Sequence, residues 1–268
     1  MPGLGLGLGI GRVARGRRGG TSVAQFTLTC TTTGAGQTLT LQGLTVASGK
    51  TVRVDWGDGT YNDYTGGGAR THVYDVAGAY SVCMSKSVDI TALDLRDTKL
   101  SGTISATNPM PTGLTSLALN SLSGLTWTVG ASAPMPASLT TLSLNSLSGL
   151  TWIITTGNQW PTGATAMTVI GCPAVTVTTW TNNSIRTIQA ENAYSQANVN
   201  AFLYAILANK ANFTYATPAL DLLGGSNAAP SGTYQAADPV TSGKEAAYAL
   251  VNGNGSYAAG PEWTVQTA

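Results

Sequence analysis

The nine-residue string LNSLSGLTW occurs twice in this chain, from Leu119 to Trp127 and from Leu144 to Trp152, at a spacing of 25 residues. A period of that length belongs to stacked structural units, each too small to bury its own apolar face. The repeat therefore commits the second half of the chain to a solenoid of similar coils. Its chemical setting is equally restrictive. Between Leu100 and Ile185 there is no Asp, Glu, Lys, Arg or His. Proton transfer, metal binding and charge stabilisation use those side chains, so this stretch is a poor place for an active site.

The wider repeat is an LxxLxL segment. It appears as Ile90–Leu95, Leu114–Leu119, Leu139–Leu144, Ala164–Val169 and Ile185–Ala190, at spacings of 24, 25, 25 and 21 residues. Alternate residues of a strand share a face. Leu117 and Leu119 thus point to the core. Ser116, Ala118 and Asn120 point out, as do Thr141, Ser143 and Asn145 in the next unit, and these six form the candidate interaction face. Trp127 and Trp152 occupy equivalent places, which predicts a packing ladder along the convex side or its loops; a sugar platform is the competing reading. Asn108–Pro111, Ala133–Pro136 and Gln159–Pro161 recur at one phase and read as returning turns. The LxxLxL form at this period resembles the leucine-rich repeat. Leu122, Leu147 and Cys172 stand near where that family has its asparagine ladder. The resemblance therefore implies an irregular solenoid, closer to the divergent repeats of bacterial and phage surface proteins.

Hydrophobic residues are 43% of the 268, enough for a core, and charged residues only 9%, against a usual share of about 25%. Low charge with ample apolar content argues against disorder. A surface of Thr, Ser and Asn gains little solubility from charge, so much of it is expected to be covered by partners. The net charge is +1, yet Arg12, Arg15, Arg17 and Arg18 sit in an acid-free N-terminus. Ahead of them Leu4, Leu6, Leu8 and Ile10 alternate with glycine. Residues 1–22 read as an extended arm able to add to a neighbour's sheet edge, with nucleic-acid binding as the minor alternative. The glycines spoil a helical apolar core and the arginines follow it, so the segment does not read as a secretion signal. No stretch approaches the roughly 18 to 20 apolar residues of a membrane span. Three cysteines are too few for a disulfide framework. Cys30 and Cys83 either pair or remain buried thiols, and Cys172 reads as a small core residue.

Over residues 23–88, short strands are predicted at Gln25–Thr31, Thr38–Leu44, Thr51–Trp56 and Gly78–Ser85, separated by Gly- and Asp-rich turns. Three motifs occur in order. They are Val54-Asp55-Trp56-Gly57-Asp58-Gly59-Thr60, then Thr71-His72-Val73-Tyr74, then Ala77-Gly78-Ala79-Tyr80-Ser81-Val82. This region resembles the PKD domain family, with its WGDGT turn, HxY and GxYxV strand. The resemblance implies an immunoglobulin-like sandwich, used as a spacer or binding module in extracellular and virion proteins. The residues themselves support a structural reading. Asp58-Gly59 suits a turn needing positive φ, Asp55 and Asp58 can accept N–H groups across it, and Trp56 can pack on the sheets. His72, the only histidine, reads as packed or hydrogen-bonded beside Tyr74. A Ca²⁺ site from Asp55, Asp58 and Asp63 is the alternative, although the spacing misses the EF-hand loop.

After Glu191 the pattern changes. Ala197–Lys210 and Thr241–Val251 carry helical signals, and Leu220–Leu222 and Glu262–Val265 strand signals. They read as two strand-and-helix units closing the open core, as terminal units of a stack must. LDLLGGSNAAPSGTY followed by EWTV resembles C-terminal repeat units of phage-encoded proteins.

The chain is thus expected to be mainly β, in three parts. These are a Gly/Arg-rich extended arm (1–22), a PKD-like sandwich (23–88), and a leucine-rich-repeat-like solenoid with an α/β C-terminal cap (89–268). There is no Ser-His-Asp order, HExxH motif or P-loop. The expected role is non-enzymatic, without cofactor or metal: a virion structural protein, as capsid decoration, head fibre, tail or baseplate. It would meet other virion proteins and copies of itself. The alternative is an adhesin or receptor-binding protein of a bacterial surface, meeting host glycan or protein through the flat outward face.

Overall fold

The computed structural model describes residues 25–268. The arm at 1–22, with Leu4, Leu6, Leu8, Ile10, Arg12, Arg15, Arg17 and Arg18, lies outside the described residues.

The first six strands are β1 (Gln25–Thr32), β2 (Gln37–Val46), β3 (Val52–Asp55), β4 (Tyr61–Tyr64), β5 (Arg70–Tyr74) and β6 (Gly78–Ser85). Their mutual pairings are antiparallel: β1 with β6, β6 with β3, β3 with β4, and β2 with β5. A 3₁₀ turn at Ser87–Asp89 leads into coils that carry two strands each. These are β7 (Ile90–Leu95) with β8 (Leu100–Ile104), β9 (Ser116–Asn120) with β10 (Gly124–Thr128), β11 (Thr141–Asn145) with β12 (Leu150–Ile154), and β13 (Ala166–Ile170) with β14 (Val175–Val177). First strands stack in parallel on first strands and second on second. The last strands are β15 (Thr187–Glu191), β16 (Ala219–Leu222) and β17 (Thr264–Thr267).

Two sheets result. The eight-stranded one runs β14-β12-β10-β8-β1-β6-β3-β4, and the nine-stranded one β17-β16-β15-β13-β11-β9-β7-β2-β5. Because β1 pairs with β8 and β2 with β7, both sheets pass unbroken from the antiparallel part into the coils. A single apolar core extends along the molecule from Phe26 to Trp263. The chain is therefore mainly β with a solenoid-like stack. β4 and β5 are not predicted as strands by the sequence; both are edge strands, and β5 alternates in exposure while β4 does not. Tyr-Asn-Asp-Tyr in β4 is exposed at its first three residues and shows no alternation.

The structure explains the duplicated string position by position. Leu119, Leu122 and Leu125 are buried, as are Leu144, Leu147 and Leu150. Ser121 and Ser146 adopt left-handed φ values of 58° and 54°, and in the next coil that place is taken by Gly171 at 65°. Gly124 and Gly149 lie where neighbouring coils approach closely. A Cβ on Gly149 would stand 2.3 Å from the Leu125 carbonyl oxygen, and one on Gly124 would stand 2.7 Å from Ser101 Cβ.

The tryptophans correct the sequence reading. In the nine-stranded sheet equivalent residues stack directly, Leu119 on Leu144 and Asn120 on Asn145. The eight-stranded sheet is displaced by two residues, so Trp127 is level with Leu150 and not with Trp152. No Trp127–Trp152 ladder forms on the convex side. Both indoles lie in strands and point between the sheets, buried. Each N–H reaches a carbonyl in its own coil's returning turn, Ala133 at 2.9 Å and Asn158 at 3.2 Å. Trp152 stacks instead on Trp160, ring centroids 5.2 Å apart.

The stack closes with two strand-and-helix units, as expected. Helix α1 (Gln196–Ala208) links β15 to β16 and α2 (Gly243–Asn252) links β16 to β17, all three strands parallel. Val199, Phe202, Leu203 and Ile206 face the core from α1, and Ala246, Ala249 and Leu250 from α2. Ser195 caps α1 through Asn198 N at 3.3 Å. Ser242 and Glu245 form a capping box on α2, a device that satisfies otherwise orphaned N–H groups. Bonds from Gln235 above all, then from Thr241 and Ser242, hold the Glu245 carboxyl at about 2. Buried asparagines take over the backbone bonding between these units: Asn227 Oδ1 accepts from Asn192 N and Tyr194 N, and its Nδ2 donates to Ala190 O and Leu222 O.

Coil stacking makes Gly149→Ala costly, by about 1–3 kcal/mol, because backbone must move. Gly157→Ala, with nothing within 4 Å of its Cβ, is expected to stay within about 0.5 kcal/mol of the parent. Urea unfolding of the two variants checks the contrast.

Candidate functional site

A cluster of polar and aromatic side chains lies where β3 turns into β4. Gly57 and Gly59 carry that turn at φ 86° and 94°. A Cβ on Gly57 would stand 2.6 Å from Ser81 N of β6, so glycine alone lets the turn lie on its neighbour. Asp55 Oδ1 accepts from Gly57 N at 2.9 Å. Asp58 Oδ1 accepts from Thr60 N at 2.9 Å and from the Thr60 hydroxyl at 2.7 Å. Its other oxygen meets His72 Nε2 of β5 at 2.7 Å. The imidazole lies flat on Trp56, centroids 4.9 Å apart and planes 5° apart, with Tyr74 edge-on at 4.6 Å. Trp56 Nε1 donates to Asn62 Oδ1 at 2.8 Å, and the Tyr74 hydroxyl donates to Trp56 O at 2.9 Å.

Asp55, Trp56, Asp58, His72 and Tyr74 are therefore brought together. β3 belongs to the eight-stranded sheet and β5 to the nine-stranded one, so the cluster is a clasp across the molecule's end. Burial disfavours the Asp58 carboxylate, but the Thr60 hydroxyl and N–H and the His72 ring outweigh it, and its pKa lies below the ordinary value. A histidine acting as base needs a nitrogen turned to a nucleophile. In this clasp the bonded nitrogen is held by a carboxylate and one ring face is covered by Trp56. Asp63 is engaged separately, bidentate with Arg53 at 2.8 and 2.9 Å. Asp55, Asp58 and Asp63 thus each serve a different partner. Among the described residues no three His, Cys, Asp or Glu are grouped closely enough to hold a metal ion. Also among the described residues, no helix is long and apolar enough to cross a membrane.

The cysteines are free. The β1–β6 register places Cys30 opposite Tyr80 and Cys83 opposite Thr27, so they do not pair. Burial pushes the Cys172 thiol up to about 11, which keeps it protonated and unreactive at neutral pH.

The proposed interaction residues stand in register: Ser116 beside Thr141, Ala118 beside Ser143, Asn120 beside Asn145. They share the outer face of the nine-stranded sheet, and the side-chain amides of Asn120 and Asn145 lie 2.7 Å apart. The middle row continues to Asp94 on one side and through Thr168 and Gln189 to Asp221 on the other. Sequence reasoning missed a second face of this kind. The outer side of the eight-stranded sheet carries Thr27, Thr29, Ser101, Thr103, Thr126 and Thr151, with the Thr103 and Thr126 hydroxyls 2.9 Å apart. Its signal was the Thr27-x-Thr29-x-Thr31 alternation of β1. At the returning-turn edge, Pro109, Met110, Pro134 and Met135 line an apolar groove of about 420 Å³.

No family model, curated protein or solved structure matches the chain.

The clasp predicts an acid response. The Asp58 contribution is complete above the unfolded carboxylate value of about 4 and disappears as pH falls through the lower native value. Asp58→Ala is expected to cost about 1–3 kcal/mol at neutral pH and to flatten the acid limb of the stability curve. Urea midpoints measured across a pH series test this, and an unchanged acid limb would refute the assignment.

Proposed function

We propose that this chain is a non-enzymatic structural protein of a virion, serving as capsid decoration, head fibre, tail or baseplate component. In this reading the antiparallel end is a PKD-like spacer, the coils are divergent leucine-rich-repeat units, and the segment 1–22 docks on a neighbouring subunit. The observation that carries the proposal is the continuity of both sheets from β4 and β5 through the coils. A body with two unbroken sheets is stiff and presents two broad faces. Those faces are Thr, Ser, Asn and Ala with sparse charge, a composition suited to flat polar contacts with other virion proteins or further copies of the chain. The motif residues support the same reading, since Asp55, Trp56, Asp58, His72 and Tyr74 are spent on clasping the sheets. Trp127 and Trp152 are buried between the sheets, which counts against a sugar platform built from those two indoles.

Peptide mass spectrometry of purified particles is the direct test. The chain is expected in intact particles at fixed stoichiometry, and its absence there overturns the proposal. Deleting residues 1–22 is expected to leave the thermal midpoint of the chain unchanged while abolishing incorporation.

A further inference from the structure

The eight-stranded sheet ends at β14, which is only three residues long. The layer is then continued by α1, which packs against β14. A helix cannot follow the ridge of a strand, and the change of element leaves a cleft of about 410 Å³ at the returning-turn edge. One wall is Thr156, Thr178, Thr179 and Thr181; the other is Tyr204, Ala205 and Ala208 of α1, with Trp180 between them. No charged side chain lines it.

Its hydrogen-bonding capacity is nearly all hydroxyl. The Thr178 hydroxyl donates to Ile154 O at 3.2 Å and keeps its acceptor lone pairs. Those of Thr156, Thr179, Thr181 and Tyr204 have no partner among the described residues. The Asn209 amide at the rim is already used, donating to Asn183 Oδ1 at 2.6 Å and accepting from Asn212 Nδ2 at 2.8 Å. Trp180 is buried, and its N–H is fixed on Asn182 O at 2.8 Å, which makes it a rigid back wall. The threonine backbone is anchored too: Thr178 N and Thr179 N both donate to Ile154 O, and Thr181 N to Gln159 Oε1. The hydroxyls are thus presented from a fixed frame.

This lining selects a ligand class by exclusion. An anion finds no cation in the lining, and the Glu245 carboxylate, whose charge reaches Tyr204, stands outside the lining and is already held by Gln235, Thr241 and Ser242. A purely apolar ligand would strip water from several hydroxyls without replacing their bonds, at a cost for each. A neutral ring bearing several hydroxyls can both donate to and accept from threonine O–H groups, while its C–H face meets the Ala205 and Ala208 methyls and the half-buried Tyr204 ring. We propose that the cleft between the Thr178–Thr181 segment and helix α1 is a binding site for a neutral saccharide of one or two rings. The site lies apart from the flat sheet faces and does not depend on the virion role.

The test is titration of the ¹⁵N-labelled full chain with neutral probes: glucose, galactose, N-acetylglucosamine, maltose and lactose. At least one is expected to give saturable shifts confined to Thr156, Thr178–Thr181 and the C-terminal turn of α1. The double variant Thr179→Val, Thr181→Val keeps side-chain shape and is expected to weaken that binding tenfold or more. Ala208→Trp, at an exposed helix position, is expected to fill the cleft and abolish it while the thermal midpoint stays unchanged. The proposal is overturned if no neutral sugar gives saturable shifts, if the shifts map elsewhere, or if both variants bind as the parent does. A short uncharged peptide that binds the cleft more tightly than every sugar also overturns it.

Discussion

A stacked coil is held by the backbone of its neighbours before it is held by its own side chains. Here two parallel ladders, one per sheet, carry that bonding through the whole length of the coils. The close approach they require fixes the glycines at 124 and 149, whose Cβ positions are occupied by the preceding coil. It also fixes which residues turn inward, since alternation on a strand leaves no choice once one leucine is buried. The rest of the molecule consists of ways to begin and end this stack.

The two ends solve the problem differently. At one end the sheets become antiparallel, and the His72–Asp58 contact with the Trp56 stack ties one sheet to the other. At the far end the core is closed by helices, with an acidic capping box and buried asparagines in place of ladder bonds. Polar chemistry is concentrated at these ends because only there do backbone groups lack a coil to pair with. The middle can be free of charge for the same reason: its strand backbones are already matched coil to coil.

Much of this was legible in the residues. The LxxLxL spacing located the five first strands of the stack, and alternation placed Leu117 and Leu119 inside and Asn120 outside. Three limits are physical. Periodicity identifies a face but not a register, so the displacement that separates Trp127 from Trp152 was hidden until the ladders were seen. An edge strand such as β4 is wet on most of its surface and carries no pattern. The threonine cleft joins residues 156 to 209 across a strand-to-helix change, and no local string announces such a meeting. The WGDGT and HxY motifs gave the clasp its members, because a turn that needs glycine and a capping aspartate writes both into the sequence.

The charge-free middle also determines how the molecule meets a protease. Trypsin-like enzymes cut after lysine and arginine, and between Lys99 and Arg186 there is neither. The stacked coils from β8 to β14 thus offer such an enzyme no bond even when unfolded. Damage by that route is confined to the two ends, and the coiled centre is released as one intact piece.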